Sequence, residues 1–164
     1  MHDILPAASG EARPGYAELA RSLAALLDGE PDLISCAANT AALLYFGLDD
    51  LNWAGFYLLD PRSGDLLVGP FQGRPACVRI ALGHGVCGTA AAERRTLVVP
   101  DVHAFPGHIA CDAASNSELV VPVIDGERLI GVLDLDSPRH ARFDDSDARG
   151  VEALVAVFVA AIRR

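Results

Sequence analysis

Four cysteines stand at positions 36, 77, 87 and 111, and each sits in a different chemical setting. Cys111 lies inside PGHIACDAASNSE, where Pro106, Gly107, Asp112, Ser115 and Asn116 are turn formers, so the segment reads as a surface loop. A cysteine that serves packing is usually buried. One in a polar loop has its thiol available for reaction, and His108 would stabilise a thiolate there if close and protonated. Cys87, in GHGVCGTAA, stands at the start of a short helix opened by glycines. Helix N-terminal amides favour an anion and lower a thiol pKa, while small-residue packing is the alternative reading. Cys77 begins a strand after GRPA and says little alone. Cys36, within ISCAANTAALL, reads as a packed helix residue.

Carboxylates form the second chemical group. In RLIGVLDLD the strand alternation puts Ile130, Val132, Asp134 and Asp136 on one face, apolar at one end and acidic at the other. Glu118 opens the neighbouring strand directly after the Cys111 loop. Such carboxylates either solvate a sheet face or, grouped in a partly apolar pocket, share protons and have at least one pKa raised. A carboxylic acid so raised can protonate a leaving oxygen. Trp53 and Tyr57, four apart in NWAGFYL, share a face; such a pair packs a core or holds a methyl, sulfur or ammonium group.

The elements that must position these groups follow from periodicity. Helical stripes run through Tyr16–Leu27 (Leu19, Leu23, Leu26, Leu27), about Asp32–Phe46 (Leu33, Ala37, Ala41, Leu44) and Asp144–Arg163 (Val151, Leu154, Val155, Phe158, Ile162). Val157 and Val159 widen the last stripe almost all round, which implies deep burial or a subunit contact. Between them NWAGFYLLD, DLLVGPF, CVRIAL, TLVVPD, ELVVPVID and RLIGVLDLD read as strands, with GVCGTAAAERR as a short helix. Hairpins are expected around GDLLVG and at Asp125-Gly126. The result is an α+β domain with a mostly antiparallel sheet.

The chain has 164 residues, 51% hydrophobic and 21% charged, which suits one globular domain over residues 16–164 behind a flexible leader at 1–15. A formal net charge of −9, from 13 Lys+Arg against 22 Asp+Glu, argues against a nucleic-acid partner. The start shows no signal-peptide pattern, and the longest apolar run, LVAVFVAAI, is far short of the ~20 residues of a membrane helix. A cytoplasmic protein without membrane attachment is expected. In that compartment cysteines that do not pack are catalytic, redox-active or metal-bound. His84-x-x-Cys87 and His108-x-x-Cys111 offer a possible zinc set, but lack the paired-Cys and paired-His spacing and leave Cys77 unexplained, so no metal site is expected.

Taken together, NWAGFYL, GPFQGRPACVRI, GHGVCGTA, DVHAFPGHIACDAASNSE, GVLDLDS and FDDSDARGVE occur in the order found in the free methionine-(R)-sulfoxide reductases, a family of GAF-domain enzymes, and the chain closely resembles them from Tyr16 to its end. His84 departs from the pattern, which has Arg or Lys there. The resemblance implies a GAF-like fold: an antiparallel sheet of about six strands, N- and C-terminal helices packed on one face, and a loop-covered ligand pocket on the other. It implies a homodimer and reduction of free methionine-(R)-sulfoxide, with no bound cofactor and with electrons from thioredoxin and indirectly NADPH.

It also implies roles. Cys111 is the nucleophile that becomes a sulfenic acid, Cys77 the resolving thiol and Cys87 a further exchanging thiol. Glu118 and Asp136 match the acids around the sulfoxide oxygen and the ligand's amino group, with Asp134 close by. Amides near Ile109 and Ala110 would hold the oxygen, and Trp53 and Tyr57 match the aromatic wall around the methylthio end. The alternative within the same fold is a GAF ligand-sensing module that does no chemistry.

Overall fold

Three of the apolar stripes become helices that share one core. The computed structural model describes residues 15–109 and 112–163, so the leader, save Gly15, lies outside the described residues, as do Ala110 and Cys111. Helix α1 spans Tyr16–Leu26, α2 Leu33–Gly47 and, at the far end, α4 Asp145–Ile162. Leu19 and Leu23 of α1, Ala37, Ala41 and Leu44 of α2, and Val151, Leu154, Val155 and Phe158 of α4 are all buried. Val159 is buried in the same core and Val157 packs against it, so the girth of α4 is taken up largely within the chain.

The ends of these helices are set by local chemistry. Asp32 caps α2 by accepting from the Ser35 amide at 2.8 Å. In FDDSDARGVE, Asp144 and Asp147 form a reciprocal capping box that starts α4. Asp147 also accepts from the Tyr16 hydroxyl at 2.6 Å, tying α1 to α4. Gly150 is needed for that packing, because a Cβ there would stand 2.2 Å from the Tyr16 ring.

Six strands form one sheet in the order β3-β2-β1-β6-β5-β4, with every pairing antiparallel. They are β1 Trp53–Leu59, β2 Leu66–Gly73, β3 Arg79–Ile80, β4 Leu97–Val99, β5 Ser117–Asp125 and β6 Arg128–Ser137. Helix α3, Gly85–Glu93, lies between β3 and β4 in the chain. One sheet face meets α1, α2 and α4 through Ala54, Phe56, Leu119, Val121, Leu133 and Leu135. The opposite face carries Trp53, Tyr57, Val120 and Val132 and packs on α3 through Val86, Cys87, Ala90 and Ala91. This is the expected α+β architecture, with the helices of both chain ends on one face.

Three expectations need correction. The CVRIAL strand shrinks to Arg79–Ile80, and the β5–β6 turn falls at Gly126-Glu127, with Asp125 still paired to Arg128. Ile130 does not share the face of Val132. The β5–β6 register slips between Val123 and Ile124, leaving Ile130 as an extra residue on β6, and the parity of the strand changes there. Ile130 packs on the helix side while Leu129 turns to the α3 side.

Gly55 is a tight point on the α3 side. A Cβ there would come within 2.3 Å of Phe71 Cβ and 2.8 Å of both the Phe71 Cα and the tip of the Trp53 ring. Gly55→Ala should therefore cost about 1–3 kcal/mol or more of unfolding free energy, measured by urea denaturation. A variant as stable as the parent would contradict this packing.

Candidate active site

Register alone brings distant residues into one row. Across β5, β6 and β1, Glu118 pairs with Asp136, which pairs with Trp53. Two residues along, on the same face, Val120 pairs with Asp134 and Asp134 with Gly55. Tyr57 and Val132 form the apolar row beyond. The face thus runs from acidic to aromatic, as the alternation in RLIGVLDLD leads one to expect for all but Ile130.

The Trp53 ring lies over Gly55, stacked at 5.7 Å on Tyr57 and 5.1 Å on Phe71. Its indole N–H donates to the Arg74 carbonyl at 3.1 Å, which fixes the ring plane. Trp53 and Tyr57 are buried, and with Ile80 and Val86 they wall a pocket. Its floor is polar: Cys87, Glu118, Asp134 and Asp136 line it together, and the Cys87 Sγ stands 3.8 Å from a Glu118 carboxyl oxygen.

Burial dominates the electrostatics of this floor. Desolvation, with Asp134 and Asp136 beside it, pushes the Glu118 carboxyl well above the usual range. Desolvation and the Asp134 charge do the same to Asp136. Asp134 is pushed up to about 7, again mainly by desolvation, while hydrogen bonds from Cys87 and Glu118 pull the other way. One Asp134 oxygen is buried without a hydrogen-bond partner among the described residues. The cluster therefore holds protons at neutral pH and presents at least one carboxylic acid.

Burial decides between the readings left open for the thiols. Burial and the charges of Asp134, Glu118 and Asp136 push the Cys87 thiol far up, so these outweigh the amides at the start of α3 and Cys87 is a neutral thiol. Burial and the neighbouring His103 hold His108 below its ordinary value, so it enters the pocket wall as a neutral imidazole and not as a cation. Cys77 is half-buried, packs on the pocket side and is disulfide-bonded, whereas Cys87 and Cys36 are free thiols. Cys36 is buried in α2 as expected, its thiol donating to the Glu30 carbonyl at 3.1 Å.

Pocket and loop meet through Asn52, to which sequence reasoning gave no role, and through residues it marked only as turn formers. The Asn52 amide donates to Asp112 and to the Ser115 hydroxyl, both at 3.0 Å, and Ser115 in turn hydrogen-bonds Asp136. Asn116 pins the end of the loop through Ser137, Pro138 and Val102. Asn52 sits inside the NWAGFYL motif, and a polar side chain just before a buried aromatic was the available signal. Ile109 lines the rim, 37% exposed. Ala110 and Cys111 lie outside the described residues. His84 is exposed at the start of α3, and among the described residues the pocket lining includes His108 but not His84.

The raised carboxyls give a sign for stability. The folded state holds protons that the unfolded chain releases, so the stabilisation is complete below the ordinary carboxylate value of 3.8 and, for Asp134, is lost as pH rises through about 7. Between pH 5 and pH 8 the urea midpoint of the oxidised protein should fall. Asp134→Asn should fall less, with a difference on the order of 1–3 kcal/mol at pH 8. Parallel profiles would remove Asp134 from the cluster.

Comparison with known proteins adds the family. The GAF domain family profile matches residues 40–163. The free methionine-R-sulfoxide reductase of Escherichia coli is 55% identical over 141 residues, covering 86% of this chain and 84% of that protein. The Neisseria meningitidis free methionine-R-sulfoxide reductase, solved in complex with its substrate, superposes with a TM-score of 0.89 at 42% identity, covering 97% of this chain and 95% of that one. A Burkholderia vietnamiensis structure bearing a GAF sensor designation is 62% identical, with a TM-score of 0.86 over 91% of this chain and 96% of its own.

Proposed function

The chain belongs to the GAF-domain family of free methionine-(R)-sulfoxide reductases, and we propose that it reduces free L-methionine-(R)-sulfoxide to L-methionine by thiol chemistry. The observation that carries this reading is the floor of Glu118, Asp134 and Asp136 under an aromatic wall, reached by the loop that bears a cysteine. An aromatic wall suits a methylthio group, and an acidic floor suits an ammonium and a departing oxygen.

In this reading the Cys111 sulfur attacks the sulfoxide sulfur. The S–O bond breaks, methionine leaves, and Cys111 takes the oxygen as a sulfenic acid. The sulfur of methionine is reduced by two electrons and that of Cys111 oxidised by two. Glu118 or Asp136, held as an acid by its burial, protonates the oxygen as it is transferred. The remaining carboxylate charge pairs with the ammonium of the ligand. Amides near Ile109 and Ala110 hold the oxygen. A second thiol then displaces water from the sulfenic acid to give a disulfide. Cys77 is the candidate for that step: it takes part in a disulfide, whereas Cys87 is a free, neutral thiol. Cys87 stays in reserve as a partner for exchange.

Thioredoxin is the proposed reductant, since a dithiol attacking this disulfide regenerates the enzyme without a bound cofactor. A cytoplasmic location accords with such recycling; among the described residues no helix is long and apolar enough to cross a membrane. A homodimer follows from the resemblance, and the exposed Ile34 and Phe46 of α2 offer apolar surface for one.

The sensor designation of the Burkholderia protein favours a second reading, ligand binding without turnover. One assay separates them: methionine release from racemic free methionine sulfoxide with thioredoxin, its reductase and NADPH. The wild type should stop at half conversion, leaving the S form. Cys111→Ser should lose activity by on the order of 1,000-fold or more, and Cys77→Ser should turn over once and then stall. A wild type that consumes neither epimer but still binds the compound would be a sensor.

A further inference from the structure

We propose that the pocket floor is also a binding site for a borderline-soft divalent cation such as Zn²⁺, held by Cys87, Glu118 and Asp134, and that this ion and the ligand exclude each other. The three side chains come from α3, β5 and β6, so the sheet and its covering helix fix them independently. One ligand atom from each lies within 4.8 Å of the other two. The Cys87 sulfur and the Glu118 oxygen are 3.8 Å apart. A tetrahedral zinc with bonds of ~2.3 Å to sulfur and ~2.1 Å to oxygen puts its donors about 3.6 Å apart, so the pair needs almost no adjustment.

A cluster of acids is not in itself a metal site. Asp134, a residue that lines the pocket, supplies the further observation: it is only 5% exposed, and one of its carboxyl oxygens is buried with no hydrogen-bond partner among the described residues. A buried carboxylate oxygen normally has one. An ion at the centre of the triad would bind that oxygen, replace the protons that keep the two carboxyls together, and expel the thiol proton to solvent. The fourth position of the ion would face the open pocket.

Donor type sets selectivity. One thiolate with two carboxylates suits Zn²⁺, Co²⁺ or Cd²⁺, whereas Mg²⁺ and Ca²⁺ take all-oxygen shells. The ion would occupy the place that the ammonium of the ligand needs, so its presence stops turnover reversibly. This last consequence rests on the reductase reading; the binding itself does not.

The test uses the oxidised protein, in which Cys77 is disulfide-bonded and Cys87 and Cys36 remain free. Titration with Co²⁺ should produce thiolate-to-cobalt charge-transfer absorption and tetrahedral d–d bands, saturating at one equivalent and abolished by Zn²⁺ but not by Mg²⁺. The bands should persist in Cys36→Ser, vanish in Cys87→Ser, and need at least tenfold more Co²⁺ in Asp134→Asn. Adding free methionine-(R)-sulfoxide should erase them. No thiolate absorption in the wild type, which requires no variant to fold, would overturn the proposal, as would bands that survive Cys87→Ser. Bands unaffected by the sulfoxide would overturn the exclusion. A protein that shows the bands yet never reduces the sulfoxide keeps the site and loses the reductase reading.

Discussion

Placing three carboxyl groups on the apolar face of a central sheet governs everything else in this molecule. Taking one carboxylate out of water costs several kcal/mol, and like charges side by side add to it. Glu118, Asp134 and Asp136 cannot all ionise, so the floor carries protons until something cationic arrives. No lysine exists in the chain and no arginine lines the pocket among the described residues, so the fold supplies no fixed counter-charge. An ammonium, a proton or a metal ion must come from outside. The demand for a positive partner is built into the floor itself.

Holding such a cluster requires a sheet that does not slip, since a shift of one residue would turn the acids toward α1, α2 and α4. The row Trp53–Asp136–Glu118 belongs to the regular stretch of three strands. Register irregularities lie farther along the strands, between Gly55 and Tyr57 against β2 and between Val123 and Ile124 on β5. The first lies beside Gly69 and Pro70, where a proline has no amide to lend to the ladder. The helix-side core, with Phe56 stacked on Phe158 at 4.8 Å, clamps the opposite face of the same strands. Apolar packing on one face thus sets the geometry of the charges on the other.

Much of this was legible in the residues. Period-two alternation in RLIGVLDLD and NWAGFYL placed Asp134 with Asp136 and Trp53 with Tyr57, and the helical stripes marked which residues would be buried. What escaped were properties that depend on partners far along the chain. Cys87 reads locally either as a thiol lowered by helix amides or as small-residue packing, and carboxylates 31 to 49 positions away decide its state. His108 would support a thiolate only if protonated, and burial and His103 oppose that. Ile130 changes face because of a single slipped pairing, which no alternation pattern announces. Asn52 and Phe71 act through contacts with loop and ring partners and so carry no periodic signal.

On the reductase reading, the same electrostatics explain selection for a free amino acid. A methionine sulfoxide within a polypeptide offers an amide where the free compound has an ammonium. The amide can donate one hydrogen bond but brings no positive charge, so the floor would have to stay protonated or hold an unpaired carboxylate. The pocket mouth adds a steric reason. Asn52 ties Asp112 and Ser115 to the start of β1, and Asn116 is fastened at Ser137 and Pro138, so the chain leaving Cys111 is anchored across the rim. On that reading, a loop fastened at this side favours a small ligand over a continuing backbone. Charge at the floor and closure at the rim therefore select the same substrate.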